Sequence, residues 1–296
     1  MITPTLNQGK FIERTIKSVL DQGYGDLEYM VVDGGSTDET LEIIRRYEGR
    51  IDWWVSEPDE GQTDALSKGF ERATGEVIAF INSDDYYLPG AFEKAIGALE
   101  KSGASWVAGA ALNVDEHDRP RETPVGPVWV PAPPEHLKAR TSGRHLLVLN
   151  PYVVAQPASF WRRELFESYG GFREDMHFAF DGEFMTRLVM AGEVPALLPD
   201  DVLAACVLHS GAKSANFDSW DSELKLQRRV HARELTASER VWLRLTQMAR
   251  FLWLDRLAFQ IRFRLIHPGL RFAGRLLDLL PERIRPKIRT RDRRAS

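Results

Sequence analysis

The sequence predicts an α/β fold, with a mostly parallel central sheet flanked by helices and a helical extension at the C-terminus. Three observations lead there. Short β-branched apolar runs alternate with amphipathic runs four times over the first hundred or so residues, the pattern of βαβ units. Two of those apolar runs end in carboxylates, at Asp33 and at Asp84-Asp85. In open α/β sheets that carboxyl edge is where ligands bind. From Ser219 onward the chain reads as helix and becomes strongly basic.

The bulk properties bound the function. A chain of 296 residues suits one large domain or a core domain with an appendage. An apolar fraction of 43% and a charged fraction of 28% are ordinary for a soluble globular protein, and a net charge of −4 gives no global signal for nucleic acid. Cys206 is the one cysteine, which excludes an intrachain disulfide and a cysteine zinc cluster and fits a reducing compartment. Met1-Ile2-Thr3-Pro4 runs straight into polar residues, unlike a signal peptide, and no apolar run is long enough to span a bilayer. A cytoplasmic protein is therefore expected.

Ile2 to Gly9 reads as the end of a strand and a loop; the strand is short, which leaves open whether Met1 is the natural start. A helix from about Gly9 to Asp21 carries Phe11, Ile12, Ile16, Val19 and Leu20 on one face. Glu28 to Asp33 is a buried strand, and Gly34-Gly35-Ser36-Thr37-Asp38 a tight turn capping the helix Glu39 to Tyr47. Ile51 to Glu57 is a third strand, Pro58 to Gln62 a loop, and Thr63 to Ala73 a helix. Val77 to Ile81 is a fourth strand, followed by Asn82-Ser83-Asp84-Asp85, the turn Leu88-Pro89-Gly90 and a helix from Ala91 to Lys101. Adjacent carboxylates repel unless a cation or hydrogen bonds compensate them. A hard divalent cation carrying phosphates fits that need, and a polar loop that caps the next helix is the plainer alternative. A G-x-G-x-x-G after the first strand and a Walker A motif are both missing, which disfavours a dinucleotide enzyme and a P-loop kinase.

Trp106 to Val114 is a further strand. Asp115 to Arg144, rich in proline and charge, reads as a long loop. Val153 to Trp161 is another strand, Arg162 to Tyr169 a short helix ended by Gly170-Gly171, and Asp181 to Ala191 a helix. Asp181 opens that helix, as an N-cap or as a general base. Ala196 to Pro199 and Val202 to Leu208 read as the last strands, ended by His209, and a lone histidine is more often structural than functional. Between Arg240 and Ile266 aromatic and arginine residues alternate, and a basic tail follows. This region is either a helix packed on the core with a solvated tail or an interfacial helix on an anionic membrane surface.

Taken in order, these segments carry a resemblance. Pro4-Thr5-Leu6-Asn7-Gln8, Val31 to Asp38, Gly61 to Phe70 and Asn82-Ser83-Asp84-Asp85, followed by Gln156 to Phe160, Gly171 to Glu174 and Phe180-Asp181 with Arg187, resemble a family 2 glycosyltransferase of the GT-A fold. The resemblance covers roughly residues 2 to 214. It implies a nucleotide-sugar-binding half over 1–110, an acceptor-binding half over 111–215 and a basic helical extension over 216–296. Thr5 and Asp33 would hold base and ribose, Pro4 and Asn7 would also belong to the nucleotide-sugar site, and Asp59 and Asp64 would flank the nucleotide. In the DxD-like pair, Asp85 would face a Mg²⁺ or Mn²⁺ ion and Asp84 the ribose or sugar. His209 would add a metal or diphosphate contact, and Asp181 would be the catalytic base. The implied partners are a UDP-, dTDP- or GDP-sugar donor and a saccharide or lipid-linked acceptor, with peripheral membrane association and no nucleic acid.

Two departures from the family pattern stand out. Phe180 precedes Asp181 where the family often has Glu, and Gly34 follows Asp33 where it usually has a second acid. The chemistry agrees with the residues. An inverting transfer needs a base for the acceptor hydroxyl, and a carboxylate near Phe178, Phe180 and Phe184 would have its pKa raised by desolvation. Two rivals are a nucleotidyltransferase, which would want a glycine-rich basic loop near the N-terminus, and a nucleotide-sugar-binding relative without turnover, against which the intact Asp33, Asp85 and Asp181 argue.

Overall fold

The computed structural model describes residues 1–121, 128–129, 154–213 and 217–251. Strands β1 (Ile2–Thr5), β2 (Met30–Asp33) and β3 (Trp53–Ser56) form a parallel sheet in that order. Helices α1 (Ile12–Leu20), α2 (Thr40–Arg46) and α3 (Gln62–Arg72) connect or follow them. The regular part of β4 is only Val77–Ile78, yet the chain stays extended to Ile81. Ile2 donates to Ala79 O at 3.0 Å and accepts from Ile81 N at 3.0 Å, so this segment lies parallel beside β1.

Beyond β4 the sheet becomes mixed. Strands β5 (Tyr86–Tyr87), β6 (Trp106–Val114), β7 (Val128–Trp129), β8 (Ser159–Arg162) and β9 (Ala196–Val207) join it in the order β4-β8-β6-β9-β5, with β7 on β6. The β6–β9 pair is parallel, while β4–β8, β6–β8, β5–β9 and β6–β7 are antiparallel. Helix α4 (Ala91–Ser102) covers one face.

Two expected elements differ. Residues Gln156–Ala158 form a 3-10 turn, with Pro157 in its first positions, so β8 starts at Ser159 rather than at Val153. The two expected last strands are one, β9, with register shifts between Gly109 and Ala111 that let residues 199–201 bulge out. A bulge is one of the few places where a strand tolerates proline, here Pro199.

Alternation along the strands assigns the faces. Met30, Val32, Ile78 and Phe80 point to one core with Trp106, Trp161 and Phe172, while Val31, Ala79 and Ile81 point to a second with Ile12, Ile16, Ile44 and Phe92. Burial on both faces explains the near-continuous apolar runs. In the first core Phe172 lies 5.4 Å from Phe80, 5.1 Å from Phe180 and 5.3 Å from Phe184, ring centre to ring centre. This cluster seats helix α6 (Phe180–Ala191), which follows the short helix α5 (Arg163–Ser168). Phe180 and Phe184, one turn apart, face the core, which turns Asp181 away from it.

Helices α7 (Phe217–Glu234) and α8 (Ala237–Phe251) begin the extension. Most of the expected long loop, residue 153 and the basic tail beyond residue 251 lie outside the described residues. Among the described residues no helix is long and apolar enough to cross a membrane.

Candidate active site

The carboxyl ends of β1, β2 and β4 converge, as the sequence predicts, but the residues there divide into two kinds. Thr5 and Pro4 end β1 and are buried. The Thr5 hydroxyl finds no hydrogen-bond partner among the described residues. An unpaired buried hydroxyl is costly, and a ligand group would satisfy it. Asp33 is the opposite case. It is fully buried, and its oxygens accept from Gly35 N at 3.2 Å, Ser36 N at 2.9 Å, Ser56 Oγ at 2.6 Å and the Ser36 hydroxyl. This carboxylate anchors the turn after β2. Asn7, at φ +52°, accepts from Thr37 N at 2.8 Å, and its own N–H donates to Ser36 Oγ at 2.7 Å, so it laces the same turn to the loop after β1.

Gly34, the departure from the family pattern, has a structural counterpart. A side chain begun at Gly34 would meet Asp59 Oδ2 at 2.5 Å. The Asp59 carboxylate therefore fills the space that a second acid at position 34 would enter. Burial, then the neighbouring Asp64, pushes its pKa up against the Gly61 N–H bond. Asp64 accepts from Glu60 N at 3.0 Å and lies 3.4 Å from Lys68, which ties down the loop before α3.

In the acidic turn the two aspartates face different ways. Asp85 is buried, and its Oδ1 accepts from Val207 N at 2.9 Å and its Oδ2 from Asn82 Nδ2 at 3.3 Å. Burial and the adjacent Asp84 raise its pKa well above the ordinary carboxylate range. Thr15 on α1 clamps the turn by donating to Ser83 O and Asp85 O at 2.8 and 2.6 Å. Asp84 instead meets His209, Oδ2 to Nε2, at 3.0 Å. Of the residues expected to face a metal, Asp85 is thus engaged by hydrogen bonds inside the sheet, and His209 meets Asp84 rather than Asp85.

The Asp84–His209 pair passes a simple test for a cation. Two neighbouring ligands on an octahedral ion with bonds of about 2.1 Å stand about 3 Å apart. Among the described residues no cluster of three or more His, Cys, Asp or Glu side chains could hold a metal ion. Magnesium-type sites commonly combine one or two carboxylates with substrate phosphates, and here Asp84 is the carboxylate.

Asp181 is not the N-cap of α6. That position is Ala179, and Asp181 sits in the first turn with Oδ1 accepting from Gly182 N at 2.7 Å. Burial raises its pKa to about 6, opposed by the Gly182 N–H bond and by the Lys213 ammonium. Lys213 itself is lowered to about 8 by burial, against the pull of Glu223, Asp181 and Asp59.

Sequence reasoning missed Lys213, Gln62 and Asn82, which form a directed relay. Lys213 Nζ donates to Gln62 Oε1 at 2.9 Å, Gln62 Nε2 to Asn82 Oδ1 at 2.6 Å, and Asn82 Nδ2 to Asp85. The relay runs from the neighbourhood of Asp181 to the acidic turn. Lys213 is also held over the Phe178 and Phe180 rings, 5.3 and 5.6 Å from their centres. The loop before α6 closes on the same region: His177 Nδ1 lies 3.1 Å from where a side chain at Gly61, φ +124°, would start. The available signal was modest, a lysine four residues after His209 in a glycine-containing stretch.

Comparison with known proteins bears on the family and the fold. The family described as Glycosyl transferase family 2 matches residues 1–170. An uncharacterized glycosyltransferase of Mycobacterium tuberculosis is 32% identical over 213 residues, covering 70% of this chain and 72% of the relative. Among solved structures, Staphylococcus aureus TarS 1–349 in complex with UDP-GlcNAc superimposes with a TM-score of 0.62 at 19% identity, over 96% of this chain and 81% of that one. The mannosyltransferase PcManGT of Pyrobaculum calidifontis, in complex with GDP-Man and Mn²⁺, gives 0.59 at 20% identity, over 94% of this chain and 77% of that one.

Proposed function

The chain belongs to glycosyl transferase family 2 and has the GT-A fold, and from that premise we propose an inverting, divalent-metal-assisted transfer with Asp181 as the base. In this reading residues 1–110 hold a nucleoside diphosphate sugar and residues 111–215 present a saccharide or lipid-linked acceptor. The donor is a UDP-, dTDP- or GDP-sugar, in keeping with the UDP-GlcNAc and GDP-Man of the two structural neighbours. The work is cytoplasmic, at the inner face of a membrane when the acceptor is lipid-linked.

The observation that carries the reading is Asp181, freed from capping and raised to about 6. A carboxylate with that pKa is ionised at neutral pH yet basic enough to accept a proton in the transition state. The acceptor oxygen attacks the anomeric carbon, its proton passes to Asp181, and the anomeric carbon–phosphate oxygen bond breaks with its electron pair leaving on the diphosphate. Lys213, carried by the relay from Gln62, supplies a fixed cation for that leaving group. The Thr5 hydroxyl, which has no other partner among the described residues, and the Asp59 carboxylate, which keeps its Gly61 N–H bond, would meet the base or ribose, while Asp33 and Asn7 hold the turn beside them and Asp64 holds the loop.

The Asp84–His209 pair would hold Mg²⁺ or Mn²⁺, with Asp85 as the strut that positions Asp84. When bound, the ion would neutralise developing charge on the diphosphate. A screen of nucleotide sugars by thermal stabilisation, with Mn²⁺ and with EDTA, tests the reading. One donor should raise the melting temperature strongly and only in the presence of metal. No stabilisation by any nucleotide sugar would refute it.

A further inference from the structure

Helix α7 turns one polar stripe toward α6. Glu223, Gln227 and His231 recur every fourth residue, so they share a face. Each meets α6 at a different level. Gln227 Nε2 donates to Gly182 O at 3.2 Å and to Thr186 Oγ1 at 3.0 Å. His231 Nε2 lies 3.3 Å from Glu183 Oε1. Glu223 reaches the open end of the helix: its Oε1 accepts from His177 N at 2.7 Å, and its Oε2 from Phe178 N at 2.7 Å and Ala179 N at 2.9 Å.

Helix α6 has no cap of its own. Its N-cap residue, Ala179, is fully buried and offers no side-chain acceptor. The start of a helix leaves N–H groups unpaired and favours negative charge. A local Ser, Thr, Asp or Asn would ordinarily accept from the second or third helical N–H. Glu223 instead accepts from the N–H of the N-cap residue Ala179 and of the two residues before it, while the Gly182 N–H is taken by Asp181 itself. Asp181 sits two residues beyond the last N–H so held. Lys213 and Glu223 are the charged groups acting on Asp181, from the turn after β9 and from α7, while Asp59 acts on Lys213.

We infer that Glu223 is a positioning residue for glycosyl transfer: it clamps the turn that carries Asp181 and balances the charge of Lys213 beside it. The inference rests on Asp181 being the base. It makes α7, read from sequence as part of an appendage, a brace for the catalytic helix.

The test uses the full chain with UDP-GlcNAc and GDP-mannose as donors and water as acceptor, following nucleoside diphosphate release from about pH 5 to 9, with melting curves and amide hydrogen exchange alongside. Glu223→Gln should lower kcat by about tenfold or more while the donor KM stays within about threefold. Its acid limb should move to lower pH, because a negative neighbour of Asp181 is gone. The amides of 177–179 should exchange faster, because one amide oxygen cannot replace two carboxylate oxygens. Glu223→Asp, which keeps the charge, should hold the acid limb near that of the unaltered chain. Gln227→Ala, on the same stripe, should lower the melting temperature without moving the acid limb.

An unaltered kcat and acid limb in Glu223→Gln would overturn the proposal. So would a parallel fall of kcat, donor affinity and melting temperature with the acid limb unmoved, which is mere destabilisation. The exchange arm needs no turnover, and unchanged protection of 177–179 is sufficient by itself to reject the clamp. If Asp181→Asn is as active as the unaltered chain, the reading of the base fails. If Asp181→Asn is inactive and Glu223→Gln normal, the role of Glu223 alone fails.

Discussion

At Asp181 burial raises the carboxyl to about 6, so the folded chain keeps a proton that the unfolded chain has already released. For an acid whose folded pKa is raised, stability declines as pH climbs from the unfolded value to the folded one, and the deficit persists above it. Ionised Asp181 therefore costs the fold on the order of 2 kcal/mol at neutral pH, after a discount for its partial exposure. Asp181→Asn is expected to melt a few degrees higher at pH 7.5 and to lose about a hundredfold or more in turnover. A cap would show neither change, because Asn caps as well as Asp. Turnover of the unaltered chain should rise with pH through about 6, the acid limb of that same group.

The acidic turn makes a second contrast at this scale. Asp84→Asn should remove the Mn²⁺-dependent part of nucleotide stabilisation and leave the melting temperature in EDTA nearly unchanged. Asp85→Ala should act on the fold first, costing about 1–3 kcal/mol by stranding the Val207 N–H. The reverse pattern in calorimetry and melting would return the metal-facing role to Asp85. Sequence alone placed both acids at the strand end. It could not say which one turns inward, because that depends on Val207, more than a hundred residues away along the chain.

Helix α6 shows what an element adds. Glu183 lies about 200° round the helix from Asp181, so the sequence correctly sends it elsewhere. The structure shows where it goes. Glu183 is 2% exposed, paired with Arg187 at 2.8 Å and near His231 at 3.3 Å. Arg187 in turn donates to Tyr169 O and to Gly171 O, tying the end of α5 to α6. Burial alone would raise the pKa of Glu183, but His231 and Arg187 hold it below its ordinary value.

A carboxylate lowered in this way stabilises the fold above its unfolded pKa and loses that stabilisation as pH falls through the folded one. Glu183→Gln should cost about 3 kcal/mol near neutral pH and show a shallower loss of stability on acidification, read from melting curves between about pH 3 and 7. Its residual folded enzyme should turn over far better than Asp181→Asn. These partners were not legible in sequence, where the i, i+4 spacing of Glu183 and Arg187 suggests a solvated surface pair.

Across the whole molecule, periodicity located most strands and helices through Val114, because each βαβ unit closes locally. The second half was less legible. The antiparallel placement of β8 between β4 and β6, and the merging of the last two strands, depend on pairings far apart in sequence. The extension was read as basic and helical, but its polar stripe toward α6 was not. On its outer side, Val241, Trp242 and Leu245 of α8 are about half exposed or more, at 56%, 58% and 49%. With the arginines of the same region, this surface should bind anionic vesicles weakly and release them as salt rises. Co-sedimentation that ignores lipid charge and salt would count against membrane association.

An inverting transfer from a nucleotide sugar with Asp181 as base fixes the configuration of the product. The most direct measurement is an NMR time course of donor turnover, using the α-linked donor selected by the thermal screen and following the anomeric signals of the first-formed product. The β anomer should appear first, and Asp181→Asn should bind the donor but yield almost no product of either configuration. A first product that keeps the α configuration, or an Asp181→Asn chain that forms product as fast as the unaltered one, would contradict it.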